Sequence, residues 1–140
     1  MKLEAQVITK DQAKRLKGLS INAEAIWYWV YTKRDGLIST QAGVCHKEWA
    51  KEIIGDNEGN EFDHEMAAAY GVAELGIMLP ACYDTMYCTA EGWYGYDHDG
   101  NDFVNKPYIT EAECRAAMLI ALLESKAITA EDCNKRLLEA

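Results

Sequence analysis

Apolar and polar residues repeat with helical spacing in three stretches that open the same way. Ile8-Thr9 is followed by Gln12, Ile109-Thr110 by Glu113, and Ile128-Thr129 by Asp132. In each, the threonine hydroxyl can accept a hydrogen bond from the amide three residues on. Gln or Glu at that third position can reach back to the threonine amide, and the shorter Asp132 does so less well. The isoleucine before each threonine is placed to staple onto Ala13, Cys114 or Cys133. The pattern predicts helices over residues 10–17, 111–125 and 130–138, with Gly18 as the stop of the first. Apolar positions Trp49, Ile53 and Ile54 predict a helix over residues 46–54, ended by Gly55. Val72, Leu75, Met78 and Leu79 predict a short amphipathic helix stopped at Pro80.

Strands are marked by aromatic and β-branched runs. Residues 25–33 (AIWYWVYTK) place Ile26, Tyr28 and Val30 on one face and Trp27, Trp29 and Tyr31 on the other. Both faces are apolar, so a central strand covered on both sides is expected. Arg34-Asp35-Gly36 reads as a turn and residues 37–41 as the return strand. Residues 56–65 (DNEGNEFDHE) read as a polar loop. Residues 83–89 and 93–97, joined by Ala90-Glu91-Gly92, predict a second hairpin, and residues 103–104 a further short strand. The expected fold is α+β, a small antiparallel sheet of two hairpins packed by four to five helices, with residues 1–140 as a single domain.

Composition adds little until charge is mapped. The chain of 140 residues is 49% apolar and 26% charged, which argues against wholesale disorder. Its formal net charge is −9, unsuited to direct binding of nucleic acid or an anionic membrane. No lysine or arginine lies between Glu52 and Asn105, and that stretch holds 12 of the 23 acids. Such a segment repels itself. It also imitates a phosphate array and would steer association with a basic groove. The same stretch carries Tyr83, Tyr87, Trp93, Tyr94 and Tyr96, which suit contact with arginine-rich surface. The alternative is that the acids are merely solvated and half the aromatics are core. Gathering of the acids on one side favours the first reading, and scattering favours the second.

Residue patterns for chemistry are sparse. Asp97-His98-Asp99-Gly100-Asn101-Asp102 resembles the start of a calcium loop, but Lys106 stands where the bidentate glutamate belongs. The oxygen-rich run 56–61 reads equally as a solvated loop. His46, His64 and His98 have no metal-ligand spacing among themselves, and GxGxxG and GxxxxGK[ST] are absent. The five cysteines form no CxxC pair, and Cys114 and Cys133 fall on apolar helical positions as small buried hydrophobes. No apolar export leader is recognisable at the start, so reduced thiols and a cytoplasmic location are expected. No cofactor or metal is called for.

Residues 73–80 (AELGIMLP), the aromatic hairpin after them, and residues 111–125 (EAECRAAMLIALLES) resemble small uncharacterised proteins encoded by prophages and mobile elements of gut bacteria. Residues 11–18 followed by the aromatic strand fit the same pattern. That resemblance is structural and transfers no catalytic residue. In size and acidity the chain is also similar to phage anti-defence proteins, including anti-CRISPR inhibitors, which usually act by stoichiometric binding. The reading that follows is a non-enzymatic inhibitor. It would bind a basic, nucleic-acid-handling host protein, with a Cas9-like nuclease the most concrete candidate. The expected contacts are Asp56, Glu58, Glu61, Asp63, Asp97, Asp99 and Asp102, with Trp93, Tyr94 and Tyr96 as anchors. Two alternatives stand beside it. One is a sequestering, ligand-binding or oligomeric protein with an aromatic-lined pocket, and the other is a metal-assisted enzyme at residues 97–102.

Overall fold

Helix α1 (Lys10–Gly18) starts at Thr9, whose hydroxyl accepts from the Gln12 amide at 3.1 Å while the Gln12 side chain accepts from the Thr9 amide at 3.3 Å. These positions come from a computed structural model that describes residues 2–37, 39, 42–97, 99, 100 and 106–140. The reciprocal bonds recur at α4 (Glu111–Glu124), between Thr110 and Glu113. At α5 (Ala130–Glu139) only the Thr129 hydroxyl bond forms, because Asp132 is one methylene short of returning it. The staples behave unequally. Ile8 is fully buried, whereas Ile109 is 89% exposed and packs on nothing at α4. Gly18 is the last residue of α1 and does not form the turn itself; Ser20, at φ 71°, takes the left-handed position.

Strand β1 (Trp27–Thr32) is central, as expected, in a three-stranded antiparallel sheet of order β2-β1-β3. Its hairpin partner is β2 (Gly43–His46); of the return strand expected at residues 37–41, Leu37 and Ser39 lie in no strand, and residues 38, 40 and 41 lie outside the described residues. The Thr32 hydroxyl donates to the Arg34 and Leu37 carbonyls, at 3.1 and 2.9 Å. These bonds hold residues 34–37 in a turn directly after β1. The next helix, α2 (Lys47–Asp56), is capped by His46, whose Nδ1 accepts from the Glu48 amide, and it runs through Gly55. Trp49 lies 56% exposed on its outer side; Ala50 and Ile53 make the contact with the sheet. The polar loop is shorter than its composition suggests, because His64–Ala68 forms β3 and pairs with β1 from Tyr28↔Ala68 to Thr32↔His64.

The two faces of β1 are covered by different layers. Val30 packs with Ala50 and Ile53 of α2, while Tyr31 joins the larger core. That core gathers Leu16 of α1, Leu75 and Met78 of α3 (Val72–Met78), Met118, Leu119 and Leu122 of α4, and Cys133 of α5. Asn134 ties α5 to the segment before β1: its side-chain oxygen accepts from the Asn22 and Ala23 amides and its nitrogen donates to the Ser20 carbonyl.

The second hairpin, β4 (Asp84–Cys88) and β5 (Gly92–Tyr96), forms its own two-stranded sheet. The architecture is thus α+β, with five α-helices and two small antiparallel sheets among the described residues. The strand expected at residues 103–104 lies outside the described residues. A two-stranded ribbon is marginal alone, and α4 supports this one. Thr85 donates to Glu111 at 2.9 Å, and Gly95 lies directly on Met118. A Cβ at position 95 would fall 2.4 Å from the Met118 sulfur, and Met118 is fully buried. At Gly92, φ is 120° and a Cβ would meet the Tyr108 carbonyl at 2.6 Å, which leaves only glycine at the point where β5 bridges to Tyr108.

Gly95→Ala is expected to destabilise the protein by about 1–3 kcal/mol through overpacking against α4. In urea titrations of a double-mutant cycle, the same change should cost less in a Met118→Ala background, where the sulfur is gone. His64 is 1% exposed, and neither ring nitrogen has a hydrogen-bond partner among the described residues. Unmet polar atoms of this kind oppose folding, so His64→Leu is expected to leave the unfolding midpoint unchanged or raise it.

Candidate functional site

The acids of the lysine- and arginine-free stretch divide into two sets carried by different layers. Glu52 and Asp56 on α2, with Glu58, Glu61 and Asp63 in the loop after it, belong to the layer that covers the Val30 face of the sheet. Asp56, Glu58 and Glu61 are exposed, whereas Asp63 is partly covered and lies 3.5 Å from Lys33. Glu65 is turned to other use. It accepts the Tyr31 hydroxyl at 3.2 Å, and that hydroxyl is pushed up to about 12 by burial and by the Glu65 charge.

The second set sits on the β4–β5 hairpin. Strand alternation sends Thr85, Tyr87, Trp93 and Gly95 toward α4 or its margin. Met86, Cys88, Tyr94 and Tyr96 face outward, with Met86 directly opposite Tyr94. Together with Glu91 and Gly100 they line an open cavity of about 440 Å³. The Tyr94 hydroxyl donates to Glu91 at 2.6 Å, which fixes ring and carboxylate together at the rim. Beyond the strand, Asp97 Oδ1 accepts from the Asp99 amide at 2.9 Å, and the Asp97 carbonyl accepts from the Gly100 amide at 3.0 Å. That turn presents Asp99 to solvent beside the tyrosines. Asp84, also exposed, is bridged by Arg115 of α4, which reaches Glu111 as well.

The candidates read from sequence are therefore only partly assembled. Tyr94, Tyr96, Asp97 and Asp99 come together on the hairpin. Trp93 points to its other side, where its ring lies 5.3 Å from that of Tyr87. Asp56, Glu58, Glu61 and Asp63 form a separate group, and Asp102 lies outside the described residues. Glu91, absent from the expected contacts, belongs to the assembled set. Its signal in the sequence was its place in the tight Ala90-Glu91-Gly92 turn, one turn-length from Tyr94.

Trp93 instead lines a second concavity of about 510 Å³. It lies where residues 3–7, the start of β1, and the first turns of α3 and α4 meet. Ile26, Trp27, Val72 and Ile109 line it with Trp93, and Glu74 and Glu111 are its ionisable residues. Glu74 Oε1 accepts from the Gly71 amide at 3.0 Å and so closes the first turn of α3. Burial raises the Glu74 carboxyl above its ordinary value, against the lowering effect of backbone bonds from Gly71 and Ile26. Cys114 and Cys133 are fully buried, and burial pushes the Cys114 thiol up to about 11, which makes it a poor nucleophile. No cluster of three or more His, Cys, Asp or Glu side chains able to hold a metal occurs among the described residues.

Among those residues, no helix is long and apolar enough to cross a membrane. No family model matches the chain, and no curated protein or solved structure is significantly similar to it.

A carboxyl raised in the folded state favours the protonated form there. The stabilisation it provides is full below the unfolded-state value and is lost as pH rises through the folded one. Glu74→Gln keeps an acceptor for the Gly71 amide and removes the titration. It should therefore raise the melting temperature relative to the parent at pH 7, and that advantage should shrink or vanish near pH 4.

Proposed function

We propose that this protein is a non-enzymatic, acidic binding protein of phage or prophage origin. It engages a basic, nucleic-acid-handling host protein through the outer face of β4–β5 and blocks that protein's nucleic-acid groove. A Cas9-like nuclease is the most concrete target. The observation that carries the reading is the joint placement of Tyr94, Tyr96 and Glu91 around the open hairpin cavity, with the exposed Asp99 next in sequence to its lining residue Gly100. They stand in a stretch of sequence that holds no lysine or arginine. Tyrosine rings offer stacking area to guanidinium groups, and the carboxylates add charge-assisted hydrogen bonds. Carboxylates at the rim of such a patch act mainly on encounter rate and choice of partner.

The two-layer division of the acids narrows the contact. The hairpin set joins charge to aromatic area and serves as the anchor. The set near α2 lies on another layer and contributes through long-range steering, which salt screens within about 10 Å. Asp102 keeps its place beside the hairpin set in sequence.

The reading is tested by inhibition of DNA cleavage by a guide-loaded Cas9-type nuclease. The parent protein should inhibit, and less so as salt is raised from about 50 to about 300 mM. Combined Glu91→Lys, Asp97→Lys and Asp99→Lys should weaken inhibition at least about tenfold, with circular dichroism and melting unchanged. Combined Glu58→Lys and Glu61→Lys should mainly slow association. Full inhibition by the folded hairpin triple variant would refute the assignment.

A further inference from the structure

The concavity between α3, α4 and β1 has features that the hairpin reading does not use. Its volume of about 510 Å³ falls in the range of small-ligand sites. Its walls are apolar, yet large apolar side chains at it remain in contact with water: Ile26 is 56% exposed and Ile109 89%. Two of the chain's four tryptophans, Trp27 and Trp93, come from different sheets to line it. Each lies against another, solvent-exposed ring, Trp27 against His46 at 5.8 Å and Trp93 against Tyr87 at 5.3 Å.

The charge at this site has one sign. Among the described residues, neither lysine, arginine nor histidine lines it. The two carboxylates differ in their surroundings. Glu111 is compensated by Arg115, at 3.1 Å, and by the Thr85 hydroxyl. Glu74 has no basic partner among the described residues and is held in place by backbone amides alone. A half-buried carboxylate without a counter-ion, set among apolar and indole surfaces, complements a positive charge carried on an apolar body. Indole is the strongest of the aromatic side chains in attracting such a cation.

We infer that this concavity is a binding site for a small organic cation, an ammonium group on a compact aromatic or branched hydrocarbon body. The charge lies against Glu74, and the body lies between Trp27, Trp93, Ile26 and Ile109. The site is separate from the outer hairpin face, since Trp93 and Tyr94 leave β5 on opposite sides. Cation binding favours the ionised form of Glu74, so affinity rises with pH across that carboxyl's titration.

The test is a titration of the intact chain with 2-phenylethylamine and with its neutral counterpart 2-phenylethanol, followed by the indole N–H signals of a ¹⁵N-labelled sample. The amine should shift the Trp27 and Trp93 signals in a saturable manner. Trp29, whose indole is bonded to the Ile8 carbonyl at 2.7 Å, and Trp49, exposed on α2, should not move. The alcohol should bind roughly five- to tenfold more weakly, the size expected of a lost cation contact. Glu74→Gln retains an acceptor for the Gly71 amide, and it should bring the amine down to the alcohol's affinity without changing the alcohol. The hairpin triple variant should bind the amine as the parent does. Equal affinity for amine and alcohol, an unaffected Glu74→Gln variant, or no saturable shift at Trp27 and Trp93 would each overturn the inference.

Discussion

Packing around α4 is the constraint on which the rest depends. Seven of its residues are buried, from Ala112 to Leu123. Its sides meet α1, α3 and both strands of the hairpin. A helix apolar around most of its circumference can be stable in water only when it is covered in this way. Met118 carries the constraint to the hairpin, because the flat surface at Gly95 is what permits β5 to lie on the helix. Among the described residues that support lies on one side, and Met86, Tyr94 and Tyr96 face the other. The exposed aromatic face is a direct result of how the ribbon is held.

Charge follows the same layering. The sheet and its α2 cover carry one acidic set, and the α4-borne hairpin carries the other. A single continuous acidic patch was the simplest inference from a stretch lacking bases, but the fold inserts β3 and α3 into that stretch. β3 delivers Glu65 to Tyr31, and α3 uses Glu74 to close its first turn. Acids neighbouring in sequence thereby become structural in two places and exposed in two others.

The sequence was most informative where structure is decided locally. The threonine caps marked α1, α4 and α5 within a residue or two, down to the missing reciprocal bond at Asp132. The two-faced apolar run correctly marked β1 as central. Where distant segments decide, the signal failed. β3, with the sequence HEMAA, has neither β-branched residues nor clear alternation, and its strand state comes from pairing with β1. Trp49 had helical spacing yet faces solvent, since Ala50 and Ile53 already fill the space above Val30. At the site, the hairpin was legible but the side on which each ring emerges was not. Trp93 and Tyr94 are neighbours in sequence and line different concavities. The Glu74 groove was invisible beforehand, because its walls come from five separated segments.

The spacing of the partners also sets an order of assembly. The capped helices and the β4–β5 hairpin close over short lengths of chain, and elements of this kind form within microseconds. Pairing of β1 with β3 joins Thr32 to His64 across the whole of α2. That larger loop must lose its freedom before any pairing energy returns. Docking of α4 on α1 closes a larger loop still, where the Gln12 side chain donates to the Glu113 carbonyl, so that docking forms later than either sheet. The groove lined by Trp27 and Ile109 takes its shape only when that docking is complete.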